Sequence, residues 1–426
     1  MIDKIINILK ASDADGYEIN DKVTLAYEFY FIGHKLDQNR VRDVEHINVT
    51  VYKKLDGGKL LGSASGEIYV TLTEDEIKKE VENLISRAEN VKNPYYELNS
   101  PSEAANPEQK NIDVSEIAKN FVLAMQEIPE TDTEYINSYE IFAESNRERI
   151  INSKGVDITL EYPSSMVEVV VNAKDNDHEI ELYRMYEAGN CDKETLRKDI
   201  TEVLGYGKDK LVAKPTPKIG KTAVVFSTQD AVSLYSYFAQ RCNAAFIYNK
   251  YSDWEIGKEI AENVKGDKIT LKGLKKLPNS SKNFDFDKEG APISDITLME
   301  NNVPRSFWGA RKFRYYLGIE DASQLYNFEA EGGSKDESEI RSGRFLEIVE
   351  FSDFSVDAIS GDIAGEIRLG YYHDNGRVTP VAGGSISGCM LDFTKEMYMS
   401  KERRQFDNCL IPALTRLENV SVTGIE

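Results

Sequence analysis

The last seventy or so residues constrain this chain most, because glycines and short apolar runs alternate through them in dense order. Ser360-Gly361-Asp362 opens the stretch, and Gly370-Tyr371-Tyr372 and Asn375-Gly376 follow. Pro380-Val381-Ala382 then leads into Gly383, Gly384, Ser385, Ile386, Ser387 and Gly388. A helical run from Leu391 and a strand from Val420 to Ile425 complete it. Asn375-Gly376 lies between two strand-like runs, which predicts a tight primed turn. Glycines inside strand-like runs mark bulges or the close approach of another backbone.

At 426 residues the chain exceeds one ordinary domain. An α+β fold is expected, in three parts. Residues 1–110 read as an α/β domain: an amphipathic opening helix, strands over Lys22–Ile32, Ile47–Leu55 and Lys59–Val70, then a helix with Thr73 and Glu76 as a capping box. Its apolar face is Ile77, Val81, Leu84, Ile85 and Ala88. Pro101–Pro107 reads as a linker.

Residues 111–219 read as a helix over Asp113–Ile128 followed by an antiparallel meander. Its strands are Ser138–Ser145, Arg147–Asn152, Asp157–Tyr162, Met166–Ala173 and Asp177–Tyr186. A helix from Asp192 to Leu204 ends at Gly205, and a connector follows. Residues 220–426 form a β-rich domain opening with Thr222–Phe226 and a helix capped by Ser227 and Asp230. Within it Phe284–Gly290 and Ile293–Met299 read as paired strands, and the acidic stretch Glu329–Glu339 as a mobile loop.

The formal charge of −21 argues against nucleic-acid binding, which needs basic clusters. It would favour a basic peptide. No run approaches the length of a membrane span, and the opening helix lacks the features of a signal peptide, so a cytoplasmic protein is expected. Cys191, Cys242, Cys389 and Cys409 are scattered and read as buried free thiols.

Site chemistry is sparse. His178-Glu179 falls on an alternating strand, where the two side chains point to opposite faces, and no histidine follows at helical spacing. His34, His46 and His373 read as ordinary strand or loop residues. Gly384–Gly388 superficially matches a nucleophile elbow, but its serines stand at the second and fourth positions and no strand–turn–helix unit surrounds them. Asp285 and Asp287 share a strand face that could hold a cation, although solvated hairpin residues explain them better.

The C-terminal order of serine-glycine strand, asparagine-glycine hairpin and Ser385-Ile386-Ser387-Gly388 turn resembles the TldD/PmbA family. The pair Phe284–Gly290 with Ile293–Met299, and the aromatic run Phe307–Tyr316, resemble it too. The family includes zinc-dependent peptidases and once carried the label of modulator of DNA gyrase. The resemblance implies that peptide-cutting members hold zinc through a His-Glu…His motif on the helix after the buried strand, with a cysteine from the C-terminal domain. The glutamate serves as general base on zinc-bound water. A gapless comparison anchored on Trp254–Lys258 puts Tyr235, Ser236 and Gln240 at those positions. The chain therefore resembles the PmbA/TldE-like members that lack the motif, with no metal site and no catalytic residue of its own.

That resemblance implies a non-catalytic subunit that pairs with a metal-bearing paralogue, the only place zinc is expected, and encloses an extended peptide. Gly383 to Gly388 would suit backbone-to-backbone contact with such a peptide, and a core turn suits them equally. The alternatives are a homodimeric peptide-binding protein without a catalytic partner, and an enzyme with chemistry of its own around Tyr235 and Gln240.

Overall fold

The computed structural model describes residues 1–103, 107 and 110–425, so the expected linker lies partly outside the described residues. Helix α1 (Ile2–Ala11) buries Ile2, Ile5, Ile8 and Leu9 on one face. A long hairpin of β1 (Gly16–Ile32) and β2 (Lys35–Leu55) leads to β3 (Leu60–Glu67). Helix α2 (Glu74–Ala88) starts at the expected Thr73–Glu76 capping box and buries its five predicted apolar residues. The short β4 (Asn93–Pro94) is followed by α3 (Val114–Gln126), β5 (Glu134–Asn152), β6 (Asp157–Lys174), β7 (Glu179–Ala188) and α4 (Lys193–Leu211).

These strands make one antiparallel sheet in the order β4-β3-β2-β1-β5-β6-β7. Strand β1 pairs β5 from Glu18↔Asn152 to Ile32↔Ser138, so the sheet runs unbroken across the boundary expected near residue 110. The meander also has fewer, longer strands than its sequence suggests. Asn146, between the expected strands Ser138–Ser145 and Arg147–Asn152, stays in β5, because Thr24 donates to its Oδ1 at 2.8 Å and it donates to Ser164 at 3.0 Å. Pro163 stays in β6 where β7 does not reach, since the β6–β7 ladder begins at Ser165. A missing N–H is tolerated on such an open side.

One face of this sheet is apolar and carries the four helices: Ile19 packs with α1 and α2, and Phe31 with α3 and α4. The other face is mixed: Ile150, Ile158, Leu160 and Tyr162 pack there on Phe284 and Phe286, beside a set of buried polar groups. There the buried Glu28 accepts from Arg40 Nε at 2.6 Å and Arg42 Nε at 3.0 Å. Helix α4 does not end at Gly205 but runs on to Leu211. Gly207 explains the continuation, because a Cβ there would stand 3.1 Å from the Ala173 methyl, and glycine lets helix and sheet approach.

The C-terminal half begins with β8 (Lys214–Pro215), β9 (Gly220–Phe226), α5 (Ala231–Arg241) and α6 (Ala244–Tyr248). Next come β10 (Leu271–Leu274), β11 (Ile296–Glu300), β12 (Val303–Pro304), α7 (Arg311–Leu317), β13 (Asn327–Ala330) and α8 (Glu337–Ile340). The glycine-punctuated region supplies β14 (Phe345–Val356), β15 (Asp362–Asp374), β16 (Arg377–Ala382), β17 (Ser385–Cys389) and the single turn α9 (Met390–Phe393). The chain finishes through β18 (Met397–Met399), β19 (Arg403–Phe406), β20 (Cys409–Pro412) and β21 (Thr415–Thr423).

One sheet follows β14-β9-β21-β17-β15-β16-β8, and β14 also pairs β15. Strands β14, β9, β21, β17 and β15 therefore close on themselves, which leaves no free edge among them. A second sheet runs β12-β11-β10-β13-β20-β19. The largest core lies between these layers and includes Phe226, Tyr235, Phe238, Leu346 and Ile411. Asn375 and Gly376, at φ of +50° and +79°, make the predicted hairpin between β15 and β16.

Two expectations in this half are corrected. Residues 284–290 do not form a strand; they form a tight loop, bridged to the following segment at Phe286↔Pro292. The acidic stretch at 329–339 is built in: Gly332 and Gly333 press on the backbone of Lys401 and Met399, and Asp336 and Glu339 make a capping box for α8.

Candidate functional site

Helix α5 follows the buried strand β9, as the resemblance implies for a metal-bearing helix. Tyr235, at the position that the resemblance gives to a histidine, is wholly buried, with its phenol 2.7 Å from the hydroxyl of Thr415 on β21. Burial pushes that phenol above its usual range, so it stays protonated and neutral. Ser236 and Gln240 are half-buried on the same helix. A phenol and a carboxamide do not replace two imidazoles on zinc, and a serine hydroxyl does not replace a carboxylate as general base. Among the described residues no three His, Cys, Asp or Glu side chains gather in a metal-holding group.

The helix is instead held as a structural element. Tyr237 and Phe238 pack on Trp254, and Trp308 Nε1 donates to the Ala239 carbonyl at 2.7 Å. Arg241 donates to the carbonyls of Tyr251 and Ile359 and to Asp253 Oδ1, tying the end of α5 to two loops. Phe307 is buried and Trp308 half-buried, while Tyr315 is exposed, so the aromatic run divides between core and surface. Cys242 and Cys409 are buried free thiols, and burial pushes Cys242 up to about 12. Cys191 and Cys389 are half-buried and also free.

Asp230 does not cap α5 through its side chain. Its carboxyl is instead pushed up to about 6 by burial, and Arg184 pulls it the other way. Arg184 on β7 is buried and donates to Glu350 on β14, joining the two halves of the molecule. Arg404 on β19 makes a second joint, donating to Asp199 and Glu202 of α4 at 2.8 Å each. Apart from Asp230, expected as a helix cap, none of these residues stands out in the sequence as a site residue. The available signal was charge at inward positions: Arg184 between Leu182 and Tyr186, and Glu350 in the apolar run Phe345–Phe351.

Ser385 to Ser387 lie inside the closed sheet, and Gly383 and Gly384 form the link that leads into β17. Ser385, Ile386 and Ser387 pair Glu366, Gly365 and Ala364 on one side and Thr423, Val422 and Ser421 on the other. Their main chain already faces two strands, so a peptide cannot add there as a third. The ends of the segment reach separate surfaces. Gly383 borders a cleft of about 680 Å³ beside β7, and Ser387 and Gly388 border one of about 470 Å³ beside Cys389 and Lys395.

The other candidates resolve as structure. Asp285 pairs with Lys275 at 2.9 Å, while the buried Asp287 accepts from the main-chain N–H groups of Glu289, Ala291 and Gln324. His178 is exposed beside Asp175, and His373 stacks on Phe345 with ring centroids 4.1 Å apart. His34 meets Glu130 at 3.1 Å and His46 meets Glu67 at 2.6 Å. No helix among the described residues is long and apolar enough to cross a membrane.

Comparison with known proteins extends this picture. Residues 219–424 match the family model described as the PmbA/TldA metallopeptidase C-terminal domain. Among curated proteins none matches the chain in sequence. The fold resembles that of TldE from Thermococcus kodakarensis, at 16% identity and a TM-score of 0.79 over 99% of this chain and 100% of that one. It also resembles a candidate modulator of a DNA gyrase from Thermotoga maritima, at 18% identity and 0.77 over 99% of each chain. A candidate modulator of DNA gyrase from Bacteroides thetaiotaomicron gives 15% identity and 0.75 over 99% of this chain and 97% of that one. With that C-terminal domain set in a fold shared along the whole chain, the protein belongs to the TldD/PmbA family of metallopeptidase-related proteins.

Proposed function

We propose that this chain is a non-catalytic subunit of a TldD/PmbA-type metallopeptidase, carrying no zinc of its own and forming part of an enclosure that holds an extended peptide. The observation that supports this most is the state of helix α5, where Tyr235 is buried and bonded to Thr415 at a position that a metal-bearing relative gives to histidine. A metal-bearing paralogue would supply the zinc, the activated water and the general base. This chain would supply walls and main-chain contacts that select an unfolded strand over a folded surface. The reading places the pair in the cytoplasm.

The test is zinc content and peptidase activity of the purified chain, alone and mixed with a metal-bearing paralogue from the same cell. No zinc and no cleavage alone, with cleavage on mixing, is the expected result. Stoichiometric zinc, or cleavage by the chain alone, would overturn the proposal. A stable self-pair that binds peptide but gains nothing on mixing would favour a homodimeric peptide-binding protein instead.

A further inference from the structure

Strand β7 is the last strand of its sheet, and the 680 Å³ cleft opens along its outer side. The cleft is bordered by Asn172, Glu179, Glu181, Lys210, Arg368 and Gly383. Arg368 Nη2 donates to the Glu181 carbonyl at 2.6 Å, so that carbonyl points away from β6. In a strand the N–H and C=O of one residue point to the same side, and the Glu181 N–H therefore also faces outward.

Two cations stand beside this edge. Lys210 Nζ donates to the Arg368 carbonyl at 2.6 Å, and among the described residues both side chains bond only main-chain oxygens. Burial and the neighbouring Arg368 push the Lys210 ammonium below its usual range. The nearby Glu350 carboxylate is claimed by Arg184. Two adjacent cations without a carboxylate, in a chain of net charge −21, leave donors for an outside anion.

The cleft also offers acceptors. Asn172 is 6% exposed, its Nδ2 donates to Glu179 at 2.9 Å, and its Oδ1 has no partner. A buried acceptor left unpaired costs about 1–3 kcal/mol, which a ligand N–H would recover. Glu179 and Glu181 on the same border would repel a free inorganic anion but accept from a ligand that brings donors. Cations, an unpaired acceptor and a strand edge that no other described strand pairs, its Glu181 carbonyl held by Arg368, together describe the end of a polypeptide.

We infer that this cleft takes the carboxyl-terminal end of an extended peptide, added as a strand along β7, with its terminal carboxylate on Lys210 and Arg368 and a side-chain donor of the peptide reaching over β7 to Asn172 Oδ1. This rests on the peptide-holding role proposed above and names the part of the peptide that is read.

The test uses the full chain and a short unstructured peptide labelled with fluorescein at its amino terminus, prepared as the free acid and as the carboxyl-terminal amide. Anisotropy titrations are expected to show the acid binding at least about tenfold more tightly than the amide. Lys210→Met and Arg368→Met should each bring that ratio close to one. Because the ratio compares two ligands on the same protein, a partly unfolded variant does not distort it. Equal binding of acid and amide to the native chain overturns the inference and leaves peptide holding intact. An acid preference that survives in both variants overturns the placement at this cleft. Failure of both peptides to bind removes the peptide-holding role and this inference with it.

Discussion

The phenol of Tyr235 and the hydroxyl of Thr415 meet at 2.7 Å, both wholly buried, and this bond pins helix α5 to strand β21. Tyr235→Phe keeps the ring and strands the Thr415 hydroxyl, which should cost about 1–2 kcal/mol in urea unfolding. The double change Tyr235→Phe with Thr415→Val removes both polar ends and should recover most of that loss. Equal losses in the single and double variants would show that the bond does not carry the effect.

Arg184 and Glu350 face each other across the joint between the seven-stranded sheet and the closed C-terminal sheet, and both are buried. Arg184→Met leaves the carboxylate without its partner, and such losses run to about 3–5 kcal/mol. Adding Glu350→Gln should restore a large part, and a double-mutant cycle measures the coupling. An Arg184→Met variant within about 0.5 kcal/mol of the native chain would contradict the role of this pair.

Glu18 gives stability a pH dependence opposite to that of a paired surface acid. Burial pushes its carboxyl from an ordinary 4.5 up to about 7; the Tyr52 hydroxyl opposes the shift, and Glu289 and Asp287 reinforce it. The folded chain therefore holds this proton more tightly than the unfolded chain does. The contribution is complete below the unfolded value and is lost as pH rises from there through about 7, a loss on the order of 3 kcal/mol. Glu18→Gln, which stays neutral, should flatten that part of the pH profile of the urea midpoint. An unchanged profile would refute the assignment.

Gly384 has φ of +80°, and a Cβ there would stand 2.2 Å from the Thr423 carbonyl oxygen. Gly384→Ala should therefore cost about 2–4 kcal/mol by melting or urea. Gly376, at φ of +79° with nothing within 4 Å, is the control. Gly376→Asn should cost only a few tenths of that, since asparagine tolerates the left-handed region. Similar losses at both positions would mean that backbone conformation alone, and not the Thr423 contact, sets the cost.

How far the sequence could be read depends on the range of the interaction. The Thr73–Glu76 box, the apolar face from Ile77 to Ala88 and the Asn375–Gly376 turn were all legible, because each depends on residues within about one or two helical turns or one hairpin. The same local rules misread Gly205 as a helix end and Asn146 as a strand break. Gly207 against Ala173, and Asn146 between Thr24 and Ser164, gain their meaning from partners far along the chain. At the candidate site, the residue types Tyr235, Ser236 and Gln240 on helix α5 were legible in the sequence, whereas the gathering of Lys210, Arg368 and Asn172 was not.

By itself the sequence determined the local elements, the apolar faces and the residue types on helix α5, since periodicity, caps and turns are set by neighbours in the chain. Only the tertiary structure decided that β1 pairs β5 across residue 110, that β14 closes on β15, and that Ser385 to Ser387 are paired on both sides while no described strand pairs the outer edge of β7. The reason is physical: a strand carries the same hydrogen-bonding groups on both edges, and which of them find a partner depends on the strands that fold beside it.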